Sequence, residues 1–113
     1  MGDRVLLQVV KKGNPKEFSP AIYCHWLGGD AVEAVKRLAV RMDKRRGDVD
    51  YIAARLLQEA INGDGGDTGF GLMNVNRVLT AKDSHGDAGI ILVDADTFEM
   101  TFIGGYLSHG HGS

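Results

Sequence analysis

Cys24 and His25 stand side by side, and a thiol beside an imidazole is the pairing that nucleophilic catalysis uses to expose a thiolate. Their context argues against it. Ala21–Trp26 reads as a strand, in which neighbouring side chains point to opposite faces. Ile22, Cys24 and Trp26 then share one face, while Ala21, Tyr23 and His25 share the other. Cys24 is therefore expected to be a small buried residue. His25 stays free to work with a partner from elsewhere in the chain.

Asp83, Ser84, His85 and Asp87 crowd into one short stretch. A catalytic triad is defined by three-dimensional geometry among residues usually distant in sequence, and no Gly-x-Ser-x-Gly elbow is present. The stretch reads first as a polar loop leading into a strand. The catalytic alternative is a small hydrolase or transferase, with His25 or His85 as base and Asp83 or Asp87 as its carboxylate.

Asp64 and Asp67 lie in the glycine-rich run Gly63–Gly69 without the alternating ligands and terminal Glu of a calcium loop. The run follows a helix rather than preceding one, so it also fails as a phosphate loop and reads as a linker. His109 and His111 lack a third ligand and a supporting shell. No metal site and no cofactor are expected.

The elements that must position these groups are legible in order. Val5–Val10 is an apolar run, and Gly13-Asn14-Pro15 is turn chemistry, so Val5–Val10 and Ala21–Trp26 form an expected antiparallel hairpin. Gly28-Gly29 breaks the strand. Asp30, with Glu33 three residues on, opens a helix whose stripe is Ala31, Val35, Leu38 and Met42; Gly47 ends it. Asp48 caps a second helix, with Val49, Ile52, Ala53, Leu56, Leu57 and Ala60 on one face and Gly63 as its stop. Strands are expected over Phe70–Val75, resuming at Arg77–Thr80, then at Ile90–Val93 and Phe98–Ile103. Gly104–Ser113 reads as a flexible tail. The order ββααβββ predicts an α+β two-layer domain: a mainly antiparallel sheet with two antiparallel helices on one face and the other face left for water or a partner.

The 113 residues make one domain, long enough to bury a core without a disulfide or metal. One cysteine, the lack of a secretory leader pattern and an apolar start too short to span a bilayer favour a soluble, cytoplasmic protein. The net charge of −2 conceals a strong asymmetry. Lys36–Arg46 holds six basic residues and one Asp, a local +5, whereas residues 47–113 hold three basic and ten acidic, a local −7. Arg37, Arg41, Lys44, Arg45 and Arg46 are the candidate partner-binding residues. They favour an acidic host protein or protein complex; nucleic acid is the weaker alternative, since the run carries no aromatic residues and matches no nucleic-acid motif.

Ile22-Tyr23-Cys24-His25-Trp26-x-Gly28, after a hairpin and before a helix, resembles a segment of small uncharacterised phage and prophage proteins that carry Tyr-x-His-Trp-Asp-Gly there; Leu27 stands in place of the Asp. The resemblance implies a mobile-element origin and attaches no activity. Two helices followed by strands and by a final Gly-x-x-x-x-Gly-x-Gly-Ser are also similar to part of an N-terminal-nucleophile hydrolase. Those enzymes use a Thr, Ser or Cys as mature first residue, and this chain starts Met1-Gly2-Asp3, so that likeness concerns architecture. The reading from sequence is a non-enzymatic binding protein, an inhibitor or modulator that docks on a host macromolecule, with self-association open.

Overall fold

The computed structural model describes residues 4–25, 30–42, 46–64, 69–84 and 87–107. Val5–Val10 (β1) is apolar at every position but Gln8 and takes the centre of the sheet, buried along its whole length. It pairs antiparallel with β2 (Ala21–Cys24) and parallel with β4 (Gly89–Asp94). Outside these lie β3 (Phe70–Met73), antiparallel to β2, and β5 (Met100–Ile103), antiparallel to β4. The strand order is β3-β2-β1-β4-β5. The result is an α+β fold on a five-stranded mixed sheet, with the parallel β1–β4 pair at its heart.

Alternation along β1 sends Val5, Leu7 and Val9 to one face, where they join Ile22, Cys24, Ile91 and Val93 in the main core. Two helices, α1 (Asp30–Arg41) and α2 (Val49–Asp64), close this face. Ala31, Val35, Leu38 and Met42 of the first stripe are buried, as are Ile52, Ala53, Leu56 and Ala60 of the second. Asp48 Oδ1 accepts from the Tyr51 N–H at 3.2 Å, the N-cap read from the sequence.

The other sheet face is not left open. Residues 74–84 fold back over it and form a second, smaller core in which Leu79 meets Leu6, Ala21 and Ile90, flanked by Tyr23, Val75 and Ile103. Gln8 fixes this cover. Its fully buried amide donates to Ser19 O at 3.0 Å and Arg77 O at 3.2 Å, and its Oε1 accepts from the Leu79 N–H at 2.8 Å. Arg77–Thr80, expected as a strand, is this irregular cover because its backbone bonds to a side chain instead of a ladder.

Other boundaries move for local reasons. Helix α1 ends at Arg41, before the expected stop at Gly47: Gly47 has φ +89° and donates to Ala95 O at 2.9 Å, which ties the chain there to the β4–β5 turn. Strand β2 stops at Cys24, β3 at Met73 and β5 begins only at Met100. Phe98 adopts φ +62° within the turn while its side chain still enters the main core. That turn is organised by Asp94, whose oxygens accept from Lys12 N, Asp96 N, Thr97 N and Thr97 Oγ1 at 2.9–3.2 Å. Burial pushes the Asp94 carboxyl up, but these bonds outweigh it and hold the pKa below its usual value. The tail is anchored further than expected. Gly105 passes so close to Ala88 that a Cβ would lie 2.5 Å from its carbonyl carbon, and Leu107 is buried in the main core. Residues 108–113 lie outside the described residues.

Replacing Gln8 with Leu would leave the Leu79 N–H and the Ser19 and Arg77 carbonyls without their partner. A loss of about 2–4 kcal/mol is expected in denaturant unfolding, with faster amide exchange at Leu79.

Candidate functional site

The candidate groups fall in three places. The first is the end of the sheet where β1 begins. Tyr23 Oη and His25 Nδ1 share a hydrogen bond of 2.7 Å. Arg4, one position before the Val5–Cys24 partners, stands in register with His25, and its backbone N–H and Nε donate to Asp87 Oδ2 at 3.1 and 2.8 Å. The hydrogen bond and charge of Asp87 raise the Arg4 pKa. The registers therefore put His25 and Asp87 at the same end of the sheet, on either side of Arg4, which is bound to the Asp87 carboxylate. Cys24 is buried on the opposite face, as its strand position predicts. His85, Trp26, Asp67, His109 and His111 lie outside the described residues.

The second place is the turn that carries Asp83. Arg77 grips its carboxylate in a fork, Nη1 to Oδ2 at 2.7 Å and Nη2 to Oδ1 at 3.0 Å, and the Thr80 N–H donates to Oδ2 at 2.7 Å. The arginine first, then the Thr80 N–H, lower the Asp83 pKa to about 2. Both oxygens of the carboxylate expected to orient a histidine are thus engaged by Arg77 and Thr80. The carboxylate acts instead as a clamp on the segment that covers the second sheet face.

The third place is the basic end of α1. Arg37 and Arg41 stand four residues apart and so share a helix face. That face meets Glu59 of α2, whose side chain is only 5% exposed. Arg37 Nε lies 3.1 Å from Oε1, Arg41 Nε lies 2.9 Å from Oε2, and Arg37 Nη2 also donates to the Glu59 carbonyl. A buried carboxylate needs such partners, because alone it would have to give up its charge or its burial. Arg46 Nη1 donates to Asp96 O at 2.7 Å, and its guanidinium lies 5.2 Å from the Phe98 ring centre. Lys44 and Arg45 lie outside the described residues. Arg37, Arg41 and Arg46 are thus braced by their own chain while remaining exposed to solvent.

Between the helices beside this clasp runs a groove of about 230 Å³. It is lined by the buried Leu38 and Met42 together with Arg41, Tyr51, Arg55, Gln58 and Glu59. Arg55 Nη1 donates to Gln58 Oε1 at 2.8 Å, and the guanidinium stands over the Tyr51 ring at 5.5 Å. Sequence reasoning missed Glu59, Arg55 and Tyr51. The available signal was a lone carboxylate beside the buried stripe of α2, opposite two arginines at i and i+4.

Among the described residues no group of three or more His, Cys, Asp or Glu is placed to hold a metal, and no helix is long and apolar enough to cross a membrane. No protein-family model matches the chain, nor does any curated protein or solved structure.

Two outcomes follow from these pairs. The Asp83 carboxyl sits at about 2 when folded, against about 3.9 when free. Its stabilisation is therefore complete above about pH 4 and is lost as pH falls toward 2. Asp83→Asn should flatten the acid limb of stability over that window in pH-dependent unfolding. At the helix pair, Arg37→Gln with Arg41→Gln strands a buried charge, whereas Glu59→Gln leaves two arginines that water can solvate. The double variant should lose more stability than Glu59→Gln, by about 1–3 kcal/mol in denaturant unfolding.

Proposed function

We propose that this chain is a non-enzymatic binding protein that acts as an inhibitor or modulator, of the mobile-element origin that the resemblance of its Ile22–Gly28 segment to phage and prophage proteins implies. It acts by occupying the surface of a host protein or complex. The basic end of α1 meets an acidic patch on that partner.

The observation that supports this reading most is the double clasp on Glu59. Arg41 is 69% exposed on its side chain yet is held through Nε by a buried carboxylate. Arginine carries roughly 2 kcal/mol of rotamer entropy, and a side chain already fixed has less of it to lose when a partner arrives. Arg37 is fixed in the same way, and Arg46 is fixed on the Asp96 carbonyl of the β4–β5 turn. The acidic remainder of the chain sharpens the field, since a basic patch on an otherwise acidic body orients an encounter as well as attracting it.

The test is capture from a bacterial lysate on tagged protein, with an Arg41→Gln/Arg46→Gln variant run beside it. The parent should retain a macromolecular partner that added salt releases. The variant should associate about tenfold more slowly, with a flatter salt dependence. Unchanged rate and salt dependence would overturn the docking surface. Turnover of a small molecule, with no macromolecule retained, would overturn the binding reading itself.

A further inference from the structure

We infer that the groove between α1 and α2 reads the partner by taking one carboxylate side chain of an acidic peptide on Arg41 and Arg55. The inference rests on the binding reading above and adds to it the chemistry that is recognised.

Size comes first. Small-molecule sites run about 300–1,000 Å³, so a groove of about 230 Å³ has room for one or two side chains rather than a whole cofactor. Charge comes second. Among the described residues that line the groove, Arg41 and Arg55 stand against one anion, Glu59, a net charge of +1 (2 − 1). One carboxylate neutralises it. A phosphorylated side chain, close to a dianion at neutral pH, would overshoot and set its second charge against Glu59.

Preorganisation is the third point. Arg55 is held from two sides, by Gln58 Oε1 at 2.8 Å and by Tyr51 Oη at 3.3 Å, and its plane is backed by the Tyr51 ring. Arg41 is held through Nε on Glu59. A guanidinium anchored at some of its N–H groups presents the others in a fixed fork, the arrangement that suits a carboxylate. Leu38 is fully buried and Met42 only 6% exposed, so the lining offers a ligand polar partners rather than an apolar seat.

The experiment uses three capped hexapeptides, Glu-Leu, Gln-Leu and Lys-Leu repeats, together with hexathymidylate, each titrated into isotopically labelled protein and followed by amide chemical shifts. The Glu-Leu peptide should perturb the amides around Arg41, Tyr51, Arg55 and Gln58 and bind better than the other three probes. Arg55→Gln should weaken it at least tenfold, about the loss of one charge-assisted hydrogen bond. Lys36→Gln, which removes an equal charge outside the groove, should leave it unchanged. Equal weakening by both variants, equal binding of the Gln-Leu peptide, shifts elsewhere, or preference for hexathymidylate would each overturn the inference. The two readings fail separately. Lysate capture that depends on Arg41 and Arg46 but not on Arg55 removes only the groove, whereas groove binding with salt-insensitive capture removes only the wider docking surface.

Discussion

The structure depends on a central strand that must be dry on both sides while carrying one polar side chain. Gln8 lies fully buried in β1, and three backbone groups of two other segments bond to its amide. A buried amide is tolerable only when its donors and acceptor are matched. Those matches dictate where Ser19 and residues 77–79 can lie. With them in place, Leu79 is brought over Leu6, Ala21 and Ile90, and the sheet acquires its second cover. A two-layer domain thereby gains part of a third layer from irregular chain.

The same rule operates at the helix pair with a full charge. Glu59 lies at the edge of the main core, and its two arginine partners reach in from α1. Packing alone would allow α2 to slide or rotate against α1. A buried carboxylate bonded at both oxygens fixes one arrangement, and in doing so it stiffens the exposed basic surface. Stability and recognition are coupled at this residue.

Much of this was legible. The two helical stripes, the cap at Asp48, the division of Ile22 and Cys24 from Tyr23, and the α+β order all follow from period and capping rules that act locally. What was not legible depends on distant chain. Nothing in Val5–Val10 says that its neighbour will be β4, nor that Gln8 waits for a backbone some seventy positions away. Arg37 and Arg41 read as a solvent-facing charge run because their partner sits on another helix. Gly47 read as the stop of α1, but the helix ends at Arg41, and Gly47 is tied instead to the β4–β5 turn through the Ala95 carbonyl.

The parallel β1–β4 pair has a kinetic consequence. Val5 pairs with Gly89, a separation of 89 − 5 = 84 residues. Ordering a loop of that length precedes any reward from the central ladder, and topologies dominated by such contacts fold slowly. The β1–β2 hairpin and the α1–α2 pair are local and can form early, but β1 then stands as an open edge until residues 89–94 have been synthesised and have docked. During that interval a chain of Val, Leu and Val with unpaired N–H and C=O groups is presented to other nascent copies. The vulnerability of this protein thus lies in its half-made state, at the strand that becomes its best-protected part.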